Sequence, residues 1–459
     1  MFRKIQHIHL VGIGGSGMSG IAEVLLTLGY KVTGSDLALS ESTRRIETLG
    51  GKVFLGHQEA HVEGAQVVVI SSAVHSTNPE VIAARNQVIP VIPRAEMLAE
   101  LMRLKFGVAI AGAHGKTTTT SMVASLLAQA GLDPTFVVGG KVNALGTHAR
   151  LGRSDLLIAE ADESDGSFLR LSPSMVVVTN TDREHLDYYG SMDALMDAFL
   201  EFMNKVPFYG LVIVCVDDER IRALLPKIHK RYVTYAVQEK AGDLVPDIYA
   251  SEIVSKGRVM NFRAHWRGKN LGPFRLNTPG IHNVSNALAA IAVALELDVP
   301  SDLIRAGLAG FNGVERRFHI RGEKKGIMVL DDYGHHPTEI KVTLQAAKAG
   351  WDRRLFVLFQ PHRYSRTRDL LEEFSQVFSL ADKVFVTEIY PAGEQAISGV
   401  SGAGLTEKIS QAGHPAAFHI ANKEALLDEV MPQLQEGDMV LTLGAGDIWK
   451  VGVELLERL

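Results

Sequence analysis

The feature that most constrains the fold is a unit repeated along the chain: a short β-branched run, a loop with Gly or Asp, and an amphipathic helical stretch. Strands that are apolar on both faces and alternate with helices are typical of parallel sheets covered by helices. We therefore predict an α/β protein. The runs predicted to be buried strands are 8–11, 67–70, 108–111, 156–159, 175–179, 211–216, 327–330, 355–359, 383–387 and 439–443.

Length and local composition predict three domains. The chain has 459 residues, and a domain holds roughly 150. A proline-bounded stretch and a helix close a first unit before Phe106, and a basic cluster at 315–318 precedes another strand. Alternating patterns over 231–280 predict an antiparallel insert in the middle domain. The predicted domains are 1–104, 105–320 and 321–459.

Charge, cysteine content and hydropathy exclude several classes of protein. The net charge is −5 without a basic block, which is unlike a dedicated nucleic-acid binder. A single cysteine, Cys215, excludes a disulfide framework and a Cys-rich zinc site. The longest apolar run, 287–295, has nine residues, whereas a membrane span needs about 20. We expect a soluble, cytoplasmic protein with no nucleic-acid or membrane partner.

Polar segments that packing does not explain follow directly after the predicted strands. In open α/β sheets, ligands bind at the carboxyl ends of the strands. This placement favours an enzyme. The segments are 12–17, 112–118, 160–165, 180–187, 331–336, 360–366 and 444–447.

A glycine-rich loop, Gly-Ala-His-Gly-Lys-Thr-Thr at 112–118, separates a predicted strand from a helix predicted at 119–129. Inward-turned backbone N–H groups and the start of a helix together favour a bound phosphate. Lys116 would reach the terminal phosphates, and the Thr117 hydroxyl would hold Mg²⁺. Ile110 stands where the G-x-x-x-x-G-K-[ST] pattern requires its first glycine. A strand–turn–helix with a chance Gly-Lys pair is the alternative.

Two further segments carry acidic residues and a histidine. Segment 160–165 has four carboxylates in six residues, which repel one another unless water or a cation neutralises them. Segment 180–187 combines Asn, Asp, Glu and His. Mg²⁺ prefers oxygen ligands, and both segments belong to the predicted sheet that carries the phosphate loop. We expect a metal role, with a solvated loop and an ordinary histidine as the alternatives.

The first glycine loop, Gly-Ile-Gly-Gly-Ser-Gly at 12–17, fits G-x-G-x-x-G and precedes a helix predicted at 18–28. Asp36 at the end of the next strand completes the dinucleotide fingerprint. Any diphosphate is cradled by the same geometry, so NAD and a UDP moiety both stay open. A tight turn that binds no ligand is a third interpretation of this loop.

Two loops in the last third, 331–337 and 360–368, combine arginines, histidines and tyrosines. The second has three arginines within six residues, which suits recognition of a carboxylate or phosphate. A solvated basic loop is the alternative.

Taken together, these motifs resemble the Mur ligases, the ATP-dependent amino-acid ligases of bacterial peptidoglycan synthesis. The resemblance covers essentially the whole chain. The loops at 331–338 and 359–368 are most similar to those of the members that add the first amino acid. The segments that carry the resemblance are 112–118, 160–165, 179–190, 281–287, 315–318 and 331–337.

The resemblance implies a Rossmann-like N-terminal domain that binds a UDP-sugar and a central P-loop ATPase-like domain, with a mostly parallel sheet, that binds ATP and Mg²⁺. A Rossmann-like C-terminal domain would close over the site and bind the amino acid. The expected substrates are UDP-N-acetylmuramate and L-alanine. ATP would phosphorylate the lactyl carboxylate, and the amine would attack the resulting acyl phosphate.

The resemblance also assigns roles residue by residue. Catalytic roles fall to Lys116, Arg316, Asp332 and His335. ATP is expected to contact Gly112, Ala113, His114, Gly115, Lys116, Thr117, Thr118, His282, Asn283 and Asn286. The UDP-sugar is expected to contact Gly14, Gly15, Ser16, Gly17, Ser35, Asp36, Ser71 and Ser72. The amino acid is expected to contact Tyr333, His362, Arg363 and Arg366. Metal ions are expected at Thr117, Glu160 and His185.

The chain departs in places from the family that it resembles, and other functions stay open. Phe199 stands at about the position where several sister ligases carry a carbamylated lysine, and the Asp-Asn-Pro-Arg signature of the diaminopimelate-adding sister is absent. His335 is the candidate base for the amine only because histidine titrates near neutrality. The alternatives are a recycling ligase that adds an intact tripeptide, an NAD-dependent dehydrogenase, and a nucleotide-gated binding protein.

Overall fold

The computed structural model of the chain describes residues 5–71 and 73–459. The predicted α/β fold is confirmed, with sheets of five, ten and six strands. Two compact units carry them. The first comprises the described residues up to Ser251 with Arg263–Phe274 and Ser285–Phe311, and the second comprises Glu252–Phe262, Arg275–Val284 and Asn312–Leu459.

The N-terminal sheet is wholly parallel, with the order β3-β2-β1-β4-β5. This doubly wound order reverses between β1 and β4, where such folds bind their ligands. The strands are β1 His7–Val11, β2 Lys31–Asp36, β3 Lys52–Leu55, β4 Val67–Ile70 and β5 Val91–Pro93. The helices are α1 Ser16–Thr27, α2 Glu41–Thr48, α3 Pro79–Asn86 and α4 Arg94–Met102, with a 3₁₀ turn at Glu59–Val62.

The ten-stranded sheet has the order β15-β14-β13-β12-β11-β10-β6-β9-β7-β8. Its strands are β6 Phe106–Ala111, β7 Thr135–Val142, β8 Thr147–Arg150, β9 Leu156–Glu160, β10 Met175–Val178, β11 Leu211–Cys215, β12 Tyr232–Ala236, β13 Ile248–Lys256, β14 Val259–Trp266 and β15 Lys269–Leu276. Its helices are α5 Lys116–Gln129, α6 Leu186–Tyr189, α7 Met192–Asn204, α8 Glu219–Leu224, α9 Ile281–Glu296 and α10 Ser301–Ala309. Two 3₁₀ turns lie at Ser167–Arg170 and Leu225–Lys227.

The predicted antiparallel insert at 231–280 is wrong in its first part. β12 pairs parallel with β11, and β13 pairs parallel with β12. The helix α8 and the 3₁₀ turn lie between β11 and β12, so the chain crosses over and returns in the same direction. The strands β11, β12 and β13 therefore run parallel to one another, whereas the alternating pattern predicted antiparallel pairing.

The C-terminal sheet has the order β16-β17-β21-β18-β19-β20 and is parallel except for β16. Its strands are β16 His319–Lys324, β17 Ile327–Asp332, β18 Leu355–Phe359, β19 Lys383–Val386, β20 Ala417–His419 and β21 Met439–Leu443. Its helices are α11 Pro337–Gly350, α12 Tyr364–Asp369, α13 Leu371–Gln376, α14 Gly402–Gln411, α15 Lys423–Val430 and α16 Trp449–Arg458, with a 3₁₀ turn at Met431–Gln433.

The register of the central sheet brings its polar loops side by side. Ala111 at the end of β6 pairs with Val178 at the end of β10, and Ile110 pairs with Glu160 at the end of β9. The core beneath is buried and apolar, including Val108, Ile158 and Val177. Over the described residues, no helix combines the length and apolarity that a bilayer crossing requires.

Candidate functional site

The loop between β6 and α5 is shaped by two glycines with positive φ. Gly112 has φ 126° and Gly115 has φ 82°. A Cβ at Gly112 would collide with the Thr179 hydroxyl, so the chain needs glycine for this close approach. The helix begins at Lys116, three residues earlier than the sequence predicted. Lys116 and Thr117 therefore lie in the first turn, where the partial positive charge of a helix favours anions.

Lys116 is held inside its own loop. Its Nζ donates to the carbonyl of Gly112 at 2.7 Å, to that of Ala113 at 3.2 Å, and to Glu163 Oε1 at 2.7 Å. Burial disfavours the ammonium, but the carboxylates of Glu163, Asp162 and Glu160 outweigh it and raise the pKa of Lys116 above its usual value. The ammonium therefore stays positively charged where it contacts the carbonyls of the glycine loop.

Glu163 is the partner of Lys116 that the sequence reasoning missed. Burial raises the pKa of Glu163 to about 7, against the opposing charge of Lys116. Its Oε2 has no hydrogen-bond partner among the described residues. Tyr189 donates to the carbonyl of Glu163 at 2.6 Å and fixes the backbone there. A buried carboxyl that titrates near neutrality beside a lysine is typical of functional sites.

Thr117 and Glu160, two of the three predicted metal ligands, are brought together. The Thr117 hydroxyl donates to Glu160 Oε1 at 3.0 Å and to Oε2 at 3.1 Å. Glu160 Oε2 also accepts from the backbone N–H of Gly139 at 2.9 Å. These oxygen donors fit Mg²⁺, which binds proteins through one or two carboxylates together with phosphate and water.

His185, the third predicted metal ligand, lies just before α6 with φ 59°. Its Nε2 is 3.9 Å from Glu184 Oε2. The metal role of His185 stays a prediction.

His114 is fixed from both sides by the loop after β10. Its backbone N–H donates to Asn180 Oδ1 at 2.9 Å, and its carbonyl accepts from Asn180 Nδ2 at 2.9 Å. Its Nε2 is 2.8 Å from Asp182 Oδ2. The predicted ATP loop is thereby joined to the strand beside it.

Each of the four carboxylates of segment 160–165 has a hydrogen-bond partner of its own. Glu160 bonds Thr117, as described above. Asp162 accepts from Arg94 at 3.3 Å, Glu163 binds Lys116, and Asp165 accepts from the backbone N–H of Ser167 at 3.0 Å. These partners offset part of the mutual repulsion, although the charge of Asp162 still helps to raise the pKa of Glu163.

The three residues of the segment 281–287 that are predicted to contact ATP, with the two asparagines near the adenine, have different neighbours. Asn286 on α9 is buried, and a Cβ added at Gly115 would lie 2.6 Å from its Oδ1, so Asn286 contacts the phosphate loop. Asn283 donates from Nδ2 to the Pro279 carbonyl at 2.7 Å. Burial and the charge of Arg317 lower the pKa of His282 to about 4, so this ring is neutral at pH 7. Thr118 is buried in the first turn of α5.

The first glycine loop is tied to the end of β2. Gly12 N and Ile13 N donate to the Ser35 carbonyl at 2.8 and 3.0 Å, and Gly14 N donates to Asp36 Oδ2 at 2.8 Å. Asp36 therefore holds the loop itself in this structure. Gly15 N donates to the Gly12 carbonyl at 3.3 Å, and α1 begins at Ser16.

Ser35 and Ser71 flank this loop. A Cβ at Gly12 would lie 3.3 Å from Ser71 Cβ. The Ser35 hydroxyl donates to the buried Glu80 at 2.5 Å and contacts His57 Nδ1 at 2.9 Å. No sequence motif predicted a role for Glu80, which lies 45 residues after Ser35. Ser72 lies outside the described residues.

In the C-terminal unit, Arg316 and Asp332 anchor the start of the predicted amino-acid site. Arg316 has φ 60° and donates from Nη2 to the carbonyls of Gly444 and Gly446 at 2.7 and 3.1 Å. Asp332 accepts from the N–H groups of Phe318 and Gly334 at 2.6 and 2.7 Å. Burial raises the pKa of Asp332 to about 6. Both residues bind backbone and shape the loops.

Four of the other predicted residues in this unit form a cluster of rings and a guanidinium. The His335 ring lies 5.3 Å from that of Tyr333 and 5.7 Å from that of His362. Arg366 Nη1 donates to His362 Nδ1 at 3.2 Å. His335 Nδ1 is 3.2 Å from Glu339 Oε2, a carboxylate that the sequence did not single out.

Arg363 has an unusual backbone and a buried, unused donor. Its φ is 70°, and its N–H donates to the Tyr390 carbonyl at 2.9 Å. Its Nε is buried without a hydrogen-bond partner among the described residues. A buried guanidinium N–H without an acceptor is costly, so this arginine suits a carboxylate ligand.

Comparison with known proteins identifies the family. The sequence model of the Mur ligase family, catalytic domain, matches residues 7–106, that of the Mur ligase middle domain matches 110–294, and that of the Mur ligase, glutamate ligase domain, matches 316–446. The chain is 57% identical to the UDP-N-acetylmuramate–L-alanine ligase of Geotalea daltonii, covering all of this chain and 99% of that protein. It is 55% identical to the protein of the same name from Myxococcus xanthus, with all of this chain and 96% of that protein covered.

Solved structures agree with this result. The crystal structure of UDP-N-acetylmuramate–alanine ligase from Thermotoga maritima is 30% identical, with a TM-score of 0.83 and 98% of each chain covered. The murein peptide ligase of Psychrobacter arcticus is 25% identical, with a TM-score of 0.71 and 98% of each chain covered. Three successive family matches and whole-length relatives lead to one conclusion: the chain belongs to the Mur ligase family.

Proposed function

We propose that this protein joins L-alanine to the lactyl carboxylate of UDP-N-acetylmuramate with the conversion of ATP to ADP and phosphate. The observation that carries the proposal is the constellation at the start of α5, where Lys116 is a permanent cation beside Glu163 and Thr117 is paired with Glu160. The names of relatives that are 55–57% identical over the whole chain supply the substrates. The reaction serves peptidoglycan precursor synthesis in the cytoplasm, and through it cell-wall biogenesis, cell shape and cell division.

The chemistry has two steps. A lactyl carboxylate oxygen forms a bond to the γ-phosphorus of ATP while the bond from that phosphorus to the β,γ-bridging oxygen breaks, which gives an acyl phosphate and ADP. The ammonium group of alanine loses one proton, its nitrogen forms a bond to the acyl carbon, and the tetrahedral intermediate loses a second proton from that nitrogen. Phosphate leaves with the oxygen that came from the carboxylate, and an amide remains.

The central loops bind and orient the nucleotide. Gly112 and Gly115 give the backbone its phosphate-binding shape, together with Ala113, His114 and Thr118. The ammonium of Lys116 stabilises negative charge on the transferred phosphoryl group. His282, Asn283 and Asn286 contact ATP, with the two asparagines near the adenine.

Thr117, Glu160 and His185 would hold Mg²⁺. The ion would neutralise phosphate charge and align the triphosphate for in-line transfer. The Thr117 hydroxyl and the Glu160 carboxylate already share a hydrogen bond, which keeps two oxygen donors close together.

The N-terminal loops bind the UDP-sugar. Backbone N–H groups at the start of α1 face the diphosphate, while Asp36 fixes the loop that presents them. A redox role for this loop is unnecessary. The residues proposed to contact the UDP-sugar are Gly14, Gly15, Ser16, Gly17, Ser35, Asp36, Ser71 and Ser72. The domains proposed to carry the three functions are 1–104, 105–320 and 321–459.

The C-terminal residues bind alanine and assist its attack. His362, Arg363 and Arg366 hold the alanine carboxylate, and Tyr333 also contacts the amino acid. Arg316 stabilises charge on the departing phosphate. Asp332 positions the loop that carries His335, and His335 accepts the proton of the ammonium group with Glu339 beside it.

Phosphate release tests the proposal. The protein is incubated with ATP, Mg²⁺ and UDP-N-acetylmuramate, and with each of a panel of amino acids or the L-Ala-γ-D-Glu-meso-diaminopimelate tripeptide. We expect phosphate release that depends on the UDP-sugar and is fastest with L-alanine. Release that is faster with the tripeptide would assign the chain to the recycling reaction, which the 25% identical murein peptide ligase keeps as the second candidate.

A further inference from the structure

Arg94 lies beside the first glycine loop because of the register of the N-terminal sheet. It is the first residue of α4 and follows β5 directly. Pro93 pairs with Ile70 of β4, which in turn pairs with Val11 of β1. Arg94 and Gly12 therefore leave the sheet at the same level, on strands that only β4 separates.

The third glycine of the G-x-G-x-x-G pattern makes room for this arginine. A Cβ added at Gly17 would collide with Nη1 of Arg94 and would lie 3.2 Å from its Cζ. In dinucleotide-binding folds this glycine serves close packing of helix on strand. Here it admits a guanidinium beside the first turn of α1. The loop thus combines backbone N–H groups with a full positive charge.

The guanidinium is only lightly engaged. Arg94 Nη2 donates to Asp162 Oδ2 at 3.3 Å, and the two side chains are 31% and 42% exposed. Among the side chains that the structure describes, this is the one hydrogen bond that Arg94 makes. An ion pair this exposed is weak. A guanidinium has five N–H donors, so most of them are left for a stronger acceptor.

We propose that Arg94 binds the diphosphate of the UDP-sugar and that Asp162 holds Arg94 in place until the diphosphate arrives. The inference rests on the proposed function and adds a ligand-binding residue to it. Phosphate oxygens accept the two parallel hydrogen bonds that a guanidinium offers. Asp162 and the diphosphate therefore compete for one cation. Removal of Arg94 weakens binding, whereas removal of the Asp162 charge strengthens it.

Calorimetric titration with UDP, UDP-N-acetylmuramate and uridine, in the absence of ATP, tests the two opposite effects. We expect Arg94→Ala to weaken the binding of both phosphorylated ligands by about tenfold or more, as the loss of charge-assisted hydrogen bonds requires. Arg94→Lys restores part of the affinity. Asp162→Asn tightens binding by about two- to fivefold, because it removes a weak competing ion pair. Uridine, which has no phosphate, binds equally to all four proteins.

Arg170→Ala is the matched control. Arg170 also forms an ion pair with a residue of α4, Glu96, at 3.4 Å. Its removal is expected to leave UDP affinity within about twofold. A change as large as that of Arg94→Ala would overturn the inference, because disturbance of α4 alone would then suffice.

Other outcomes also overturn the inference. They are equal UDP affinity in the parent and Arg94→Ala, weaker binding in Asp162→Asn, and an equal loss of uridine binding. In each case a parent that binds the UDP-sugar leaves the proposed function standing. A parent that binds neither UDP nor the UDP-sugar removes both the function and the role of Arg94.

Discussion

Arg366 donates a hydrogen bond from Nη1 to Nδ1 of His362, at 3.2 Å. A guanidinium has no acceptor atom, so His362 Nδ1 must offer its lone pair. Burial lowers the pKa of His362 to about 3, helped by the neighbouring His335 and Arg366. The pair therefore presents one positive charge on Arg366 and a neutral imidazole that orients it.

His362 should stay neutral across the pH range in which most histidines titrate. Its depressed pKa means that protonation occurs only as pH falls toward about 3. Imidazole ¹⁵N chemical shifts of the labelled protein, assigned with His362→Gln, are expected to show no titration of this ring between pH 8 and 5. A midpoint near 6.5 would contradict the hydrogen bond from Arg366.

Arg366→Ala should raise the KM for alanine by about tenfold or more, because a charge-assisted contact with its carboxylate is lost. The KM for ATP should change little. Arg368→Ala is the matched control, since Arg368 is exposed and pairs with Asp369. Initial rates over an alanine series check the prediction, and an unchanged alanine KM in Arg366→Ala would remove this residue from the amino-acid site.

Lys116→Ala should lower turnover by at least about a hundredfold, since a cation on the transferred phosphoryl group is lost. Binding of the UDP-sugar should be largely intact. Lys105→Ala serves as the control, because Lys105 lies at the other end of β6 with its Nζ on the Ser154 carbonyl. Turnover and UDP-sugar titration are measured on both variants. Retained turnover in Lys116→Ala would exclude Lys116 from the chemistry.

The KM for ATP should rise as pH increases through about 7. The raised pKa of Glu163 means that the carboxyl is protonated below this value and charged above it. The charged form holds Lys116 more tightly and so opposes its transfer to the ATP phosphates. In Glu163→Gln this dependence should be flat. The profile is measured between pH 6 and 8.5, and an equal slope in parent and variant would count against Glu163 as the titrating group.

Glu160→Ala should raise the Mg²⁺ concentration needed for half-maximal rate by about tenfold or more, since the proposed carboxylate ligand is removed. Asp165→Asn is the control, because Asp165 bonds a backbone N–H within its own loop. Rates are measured over a magnesium series at fixed ATP. A magnesium titration identical to that of the parent would exclude Glu160 as a ligand.

Much of the architecture could be predicted because it depends on local pattern. Apolar runs such as 108–111 and 327–330 are buried strands, and polar residues after them lie at carboxyl ends. The parallel placement of β12 was missed, since alternation along one strand does not reveal the direction of its neighbour. The boundaries at 104 and 320 stay a prediction.

The partners of the site residues could not be predicted, because they depend on register between distant segments. The sequence singled out Lys116 but not its partner Glu163, which was noted only as one of four acids in segment 160–165. Arg94 follows β5 and approaches Gly17 in α1, and Glu80 in α3 contacts Ser35 at the end of β2. Each pairing depends on the order of the strands in the sheet, which the sequence alone does not give.

The most direct test follows an oxygen atom. UDP-N-acetylmuramate carrying ¹⁸O in its lactyl carboxylate is converted with ATP, Mg²⁺ and L-alanine, and the released phosphate is examined by ³¹P NMR for the isotope shift. Activation of the carboxylate at the Lys116 loop predicts one ¹⁸O in each labelled phosphate. Phosphate without label, formed at the same rate as the amide, would contradict the account.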